Sequence, residues 1–227
     1  MKNGDEIMKR KIQASHIALV LGASVGTFST QVLANDAGLY DAPIPADKSL
    51  VRFLNVKLKN GVSLDFSGQK FDVDPVALSN YRLIANGSYK ISDDASSTEA
   101  KLEPGKFYTV AVGADGAGQK GIVVIPDKEV ENPSKSALSF YNFSTKPANL
   151  SLLLNGDSKV LFKDLAPAGM ASKELPVIDI GLAVSEGDRK VTELEKVSLT
   201  AKDRQNVVVV ETPNGPAGFL AATGIDR

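Results

Sequence analysis

The chain is predicted to be all-β: two tandem, small antiparallel β-sandwich domains following a cleaved signal peptide. Three observations carry this. Short runs rich in Val, Leu, Phe and Tyr alternate in polarity with period two, as half-buried strands do. Gly, Asn, Asp and Pro punctuate those runs every 8–12 residues or so, the spacing of sandwich strands. A strand pattern also recurs at long range: "SLVRFLNV" (Ser49–Val56) is answered by "ALSFYNFS" (Ala137–Ser144), with Val51, Phe53 and Asn55 matched by Leu138, Phe140 and Asn142.

The N-terminal segment is set apart first. Of 227 residues, 1–34 carry a basic start (Lys9, Arg10, Lys11), an apolar run from Ile17 to Phe28 and a small-residue end, Val32 and Ala34. That is the pattern of a secretory signal peptide cut between Ala34 and Asn35. The apolar run falls short of the roughly 20 residues that span a bilayer, and no later segment reaches it. The chain is therefore expected to be exported, without a transmembrane segment in the mature protein.

The whole chain has 26 basic and 27 acidic residues; removing the leader's four basic and two acidic residues leaves 22 and 25, a net charge of −3. No basic tract suggests nucleic acid as a partner. The chain has no Cys, and its single His is His16, inside the leader. No disulfide is available in an oxidising compartment, and the processed chain carries neither imidazole nor thiol.

The elements follow in order. Residues 35–47 form a polar, proline-bearing arm in which Leu39 and Tyr40 are an isolated apolar pair, a candidate docking segment. A first sandwich is placed at 48–126. "VSLDF" alternates through Val62, Leu64 and Phe66, and "FYTVAV" (Phe107–Val112) alternates with only a mildly polar second face. Asn60-Gly61, Asn86-Gly87 and Asn155-Gly156 read as tight turns, because a glycine there readily takes positive φ. The segment "PDKEVENPSKS" (Pro126–Ser136) has linker composition, with the linker itself placed at 127–135. A second sandwich is placed at 136–224, including the alternating "VIDIGLAV".

The repetition extends beyond one strand. Leu64 and Gly68 are answered by Leu152 and Gly156, Phe71 by Phe162, "KLEPGKFYTVAV" by "SLTAKDRQNVVVV" and "KGIVVIP" by "AGFLAAT". Order is kept throughout, which reads as tandem domains. Domains of this size bury only about 60–65% of their unfolded surface, so packing against each other or a partner is an expected source of stability.

Candidate chemistry is sparse. A serine nucleophile needs a base beside it, and no imidazole serves after the leader. The Ser–Lys pairs at Ser134–Ser136 and Ala171–Lys173 fall in predicted loops and read as solvated. Asp72 with Asp74, and Asp93 with Asp94, lack the ligand set of a calcium loop and read as turn aspartates. The "GADGAG" glycines read as a hairpin loop, and no phosphate cradle is present. No catalytic residue, metal site or cofactor is expected. For sugar, the chain offers Tyr40, Arg52, Tyr81, Arg82 and Tyr141, with a basic patch of Arg52, Lys57, Lys59, Lys101 and Lys106. In "YRLI" either Tyr81 and Leu83 or Arg82 and Ile84 should face outwards. Leu39, Tyr40, Arg52, Tyr81 and Arg82 are the candidate binding residues.

The stretch "GLYDAPIP" (Gly38–Pro45), the following "VRFLN" and the run "NGSYKI…LEPGKFYTV" resemble the periplasmic alginate O-acetylation family AlgF, over nearly the whole mature chain. The resemblance implies the periplasm as its location and a place in the machinery that acetylates the exopolysaccharide alginate. The implied partners are periplasmic SGNH-hydrolase-like acetyltransferases and a membrane-bound O-acyltransferase. It supplies no catalytic motif to map here. The expectation is a non-enzymatic adaptor that links acetyl export to transfer. The alternatives are an alginate-binding module and an acetyl carrier that holds the acetyl group transiently on a Ser or Lys.

Overall fold

The computed structural model describes residues 44–113 and 121–226. Among the described residues there are strands and no helix. The first half of the chain holds β1 (Lys48–Asn55), β2 (Val62–Phe66), β3 (Gln69–Val73), β4 (Ala77–Leu78), β5 (Tyr81–Ala85), β6 (Gly87–Ser92), β7 (Ser97–Leu102), β8 (Phe107–Val112) and β9 (Ile122–Asp127). The second holds β10 (Ser136–Phe143), β11 (Ala148–Leu154), β12 (Asp157–Leu165), β13 (Gly169–Leu175), β14 (Ile178–Glu186), β15 (Arg189–Leu199), β16 (Arg204–Val210), β17 (Ala217–Ala222) and β18 (Ile225–Asp226). The described residues form one compact unit.

The two halves share one topology. The first pairs its strands as β5-β1-β8-β9 and β3-β2-β6-β7; the second as β13-β10-β16-β17 and β12-β11-β14-β15. β10 thus repeats β1, and β16 repeats β8. Register makes the correspondence residue by residue: Phe53 lies opposite Val110, and Phe140 opposite Val207. Both of these central pairs are parallel, within sheets that are otherwise antiparallel apart from β18. Parallel partners need a long connection; here each connection contains the whole second sheet of its sandwich.

Each half has its own core. Phe53, Leu64, Phe66, Phe71, Ile91, Leu102 and Val110 fill the first; Phe140, Leu150, Leu182, Val184, Val197, Leu199 and Val207 fill the second. Burying each such side chain contributes about 1.5–3 kcal/mol. The matched aromatics stay matched: Phe71 stacks on Phe53 at 4.6 Å, and Phe162 on Phe140 at 6.3 Å. Their ladder positions differ, because β11 and β12 carry register shifts between Ala148 and Ser151.

The recurring asparagine has a defined task. Asn55 Nδ2 donates to the carbonyls of Asn60 and Val73, while its Oδ1 accepts from the Lys57 N–H. Asn142 does the same with Lys146, Leu165 and Ser144. Both are fully buried where a central strand ends. Each ties the departing chain to the end of the sandwich's third strand.

Of the three Asn-Gly turn expectations, one holds and two are corrected. Ser67-Gly68 and Asn155-Gly156 have positive φ at both residues (51° and 97°, 51° and 89°), the geometry of two-residue hairpins, and join β2 to β3 and β11 to β12. Asn60-Gly61 and Asn86-Gly87 are not hairpins, because β1 does not pair with β2 nor β5 with β6; these links pass from one sheet to the other. Gly218 lies opposite Val209 where Ile122 lies opposite Val112, so the match of "KGIVVIP" to "AGFLAAT" moves by one residue. The "GADGAG" loop lies outside the described residues except for Gly113.

A third apolar cluster joins the halves. Leu54, Val56, Leu78, Ala111 and Val123 meet Tyr141, Phe143, Met170, Val208 and Phe219. By register these are equivalent positions in the two repeats. The same sheet face is therefore used on both sides, as in a two-fold interface. β1, β8, β10 and β16 are consequently covered on both faces. This explains the near-continuous burial of "FYTVAV" and "RQNVVVV".

Candidate functional site

The side chains that the seam needs for packing do not explain Arg52. Its guanidinium points from β1 into that seam with 1% exposure. A cation there must be paired and hydrogen-bonded. Its Nε donates to Thr109 Oγ1 at 2.8 Å, Nη1 to Thr223 Oγ1 at 2.8 Å and Nη2 to Tyr141 Oη at 2.6 Å. The Asp127 carboxylate, at the end of β9, lies 3.6 Å from Nε and accepts from Tyr141, Tyr81 and Thr109 at 2.6, 2.8 and 2.5 Å. Arg52 also sits 4.4 Å over the Tyr81 ring.

Both halves supply partners. Thr223 occupies in the second repeat the place that Asp127 occupies in the first. Arg52 thus bridges an acid of its own sandwich and a hydroxyl of the other.

The electrostatics follow. Burial alone would pull Arg52 down; the fields of Tyr141, Tyr81 and Asp127 outweigh it and hold the guanidinium above its ordinary value. Burial pushes both Tyr81 and Tyr141 up, against the lowering field of Arg52, and Asp127 adds to the rise. The tyrosines are hydrogen-bond donors to a carboxylate, not latent bases. Every member of this group is occupied in holding the seam.

A second arginine borders the same cluster. Arg204, first residue of β16, crosses to the other half and lies 4.4 Å over the Phe107 ring and 5.6 Å from that of Tyr81. Burial, the largest cause, pulls it below its ordinary value, and the like charge of Arg52 adds to this against Tyr81 and Asp127.

The sequence-derived candidates fall out as follows. Arg52 and Tyr81 come together, but buried, so neither presents itself to a sugar at the surface, and Arg52 does not join Lys57, Lys59, Lys101 and Lys106 in an exposed patch. Arg82 is exposed, with Nε 3.9 Å from Asp226. The "YRLI" run buries residues on both faces: Tyr81 towards Phe107, Ile84 into the first core. Leu39, Tyr40, Ala34 and Asn35 lie outside the described residues. Asp127, given to the linker by its composition, belongs to β9. Nothing in the local sequence pattern marks Asp127, Thr109, Thr223 or Arg204 as members of this group. The available signal was Arg52 itself: an arginine inside "LVRFL" needs a buried acid if the strand is covered on both faces.

Of the serine and aspartate candidates, Ser134, Ser136, Ser172 and Asp93 are hydrogen-bonded within the fold. Ser134 Oγ donates to Asn132 Oδ1 at 2.6 Å, Ser136 Oγ to the Asp203 carbonyl at 3.3 Å, and Ser172 meets Ser139 while Lys173 is exposed. Asp93 accepts from Ala95 N, Ser96 N and Ser96 Oγ and pairs with Lys57 at 3.2 Å. These bonds hold it below the usual carboxylate range despite burial. Among the described residues no group of three or more acids could hold a metal ion.

A family model described as "Alginate O-acetyl transferase AlgF" matches residues 20–209. The chain belongs to the AlgF family. It is 26% identical to the alginate biosynthesis protein AlgF of Pseudomonas aeruginosa, over 97% of this chain and 96% of that relative. With AlgF of Pseudomonas fluorescens it shares 27% identity over 80% and 81% of the two chains. Among solved structures, the C-terminal domain of P. aeruginosa AlgF aligns with 39% of this chain and 98% of its own, at 21% identity and a TM-score of 0.35. Membership of AlgF places the chain among alginate biosynthesis proteins.

Proposed function

We propose that this chain is a periplasmic accessory protein of alginate O-acetylation. It acts without catalysing the transfer, by linking the membrane-bound O-acyltransferase that exports acetyl groups to the SGNH-hydrolase-like acetyltransferases. The observation that carries the reading is the state of its most polar site. Arg52, Asp127, Tyr81, Tyr141, Thr109 and Thr223 are buried and bonded to one another across the seam. A general acid or base must reach a substrate proton, and these groups are spent on each other.

Family membership, together with a chain that carries no imidazole or thiol after its leader, supports the same reading. A fixed pair of sandwiches suits a linking role. The first and second cores separate the seam sheets from β3-β2-β6-β7 on one side and β12-β11-β14-β15 on the other. Two distinct outer faces are thereby held at a set spacing.

The test uses the exported full chain with the purified acetyltransferase and membrane component of its own system. Stable co-purification and no acetyl transfer by the chain alone are expected. Turnover of an acetyl ester by the isolated chain would overturn the reading. So would intact mass spectrometry showing an added acetyl group on a Ser, Thr or Lys during transfer, which would make it a covalent carrier.

A further inference from the structure

We propose that Arg204, braced on Phe107, is the anchor for an acidic side chain of a protein partner; the inference rests on the linking role above. The guanidinium carries five N–H donors in a fork that fits a carboxylate. Among the described residues it makes no hydrogen bond and no ion pair; its contacts are the rings of Phe107 and Tyr81. Arg52, by contrast, has each of its three nitrogens placed.

Among the described residues, the acids on and around the strands that meet here are already committed. Asp127 serves the Arg52 group, Asp203 accepts from the backbone N–H of Arg204 and from Gln205 Nε2, and Glu129 pairs with Lys106. Asp226 accepts from Asn80 and faces Arg82. Among the described residues a half-buried cation is therefore left with its fork unfilled. An arriving carboxylate would restore what burial costs it.

The setting selects the kind of ligand. Phe107 is 5% exposed and Tyr81 1%, so no open aromatic face is left on which a sugar ring could stack. Ile44, Leu83 and Ile225 pack partly buried against the same cluster. An arginine on aromatic rings within an apolar surround is the make-up of a protein–protein hot spot.

The experiment measures binding of the full exported chain to its own system's purified acetyltransferase by biolayer interferometry. Wild type, Arg204→Gln and Arg204→Lys are compared at low and high salt. Arg204→Gln should weaken binding at least about tenfold and flatten its salt dependence. Arg204→Lys, which keeps the charge but not the fork, should fall between. It also carries the test if the glutamine variant fails to fold by near-UV circular dichroism. Wild-type affinity in both variants, or in the lysine variant alone, would overturn the inference and leave the linking role standing. No binding by wild type would remove the linking role and this inference with it. Loss of retention on a polymannuronate column in Arg204→Gln, with protein binding intact, would assign the site to sugar carboxylate and overturn the partner class.

Discussion

Arg52 and Tyr141 meet across the seam between the two sandwiches, the guanidinium Nη2 donating to the phenol oxygen at 2.6 Å, and the phenol passing its own hydrogen to Asp127 at 2.6 Å. A chain Arg52–Tyr141–Asp127 therefore leaves the first repeat, enters the second and returns. Removing one end strands the other. Arg52→Leu should cost about 3–5 kcal/mol, since Asp127 then remains buried without its cation. Asp127→Leu should cost a similar amount. The double substitution should cost clearly less than the sum, because neither charge is left behind. Urea unfolding of the four proteins checks this; additive losses would mean that the two side chains do not act as a unit.

The same cluster gives a specific response to alkali. Tyr81 and Tyr141 have folded-state values raised above that of an unfolded tyrosine, about 10. Below that pH both states hold the phenolic proton and the shift has no effect. Above it the unfolded chain releases the proton while the folded one keeps it, so stability falls by up to about 1.4 kcal/mol per pH unit for each tyrosine. Thermal midpoints should decline from about pH 10 upwards. The chain has five tyrosines. In a titration followed by phenolate absorbance, the signals of Tyr81 and Tyr141 should appear only with unfolding. Full ionisation of all five while far-UV circular dichroism stays native would refute it.

What could be seen in the sequence depended on how local its cause was. Period-two alternation is a local consequence of strand geometry, and it gave "VSLDF" and "FYTVAV" their bounds as β2 and β8. The recurrence of Phe and Asn was legible because core position and strand-end bonds constrain identity in both copies. Asn-Gly alone did not identify hairpins. Asn155-Gly156 lies between strands that pair and Asn60-Gly61 between strands that do not, and pairing is decided by the sheet, not the dipeptide. The parallel partners β1 and β8 are about fifty residues apart, and no short-range pattern reports them. Arg52 reads as a sugar ligand in the sequence because alternation shows only that a strand has a second face. What covers that face is tertiary, and here it is the other repeat. Asp127 follows Pro126 in a charged run, so its composition resembled linker while its position is the end of a strand.

Gly169 begins β13 opposite Asn142, where the first repeat has Ala77 opposite Asn55. The position does not tolerate the same residue in both. A Cβ on Gly169 would sit 2.7 Å from the Ala166 carbonyl oxygen and 3.1 Å from Leu165 Cδ1. Backbone would have to move, so Gly169→Ala should destabilise by about 1–3 kcal/mol. Ala77→Gly is the control for the backbone term and should cost at most about 1 kcal/mol. Chemical denaturation of both variants checks the contrast; an unchanged midpoint for Gly169→Ala would mean that the β12–β13 turn is looser than this geometry.

Asn55 and Asn142 perform one task in both repeats. Each side-chain amide donates to two backbone carbonyls and accepts one backbone N–H, and each is completely buried. Truncation to Ala leaves those backbone groups without a partner, at about 1–3 kcal/mol for each buried group left unsatisfied. Water can re-enter at exposed Asn60 and Lys146, which limits the net loss for either site to about 2–4 kcal/mol. Asp is the more telling substitution. Its oxygen still accepts from Lys57 or Ser144, but it cannot donate, and its charge would face carbonyl oxygens. Asn55→Asp and Asn142→Asp should therefore destabilise at least as much as the alanines at neutral pH and recover part of the loss as pH falls from 7 to about 4, because carbonyl oxygens and burial raise the folded carboxyl above an unfolded Asp and the protonated form can donate one bond. Paired denaturation curves at pH 7 and pH 3.5, each referred to wild type, test both copies at once. A large effect at one asparagine and none at the other would show that the second copy has kept the residue without its role.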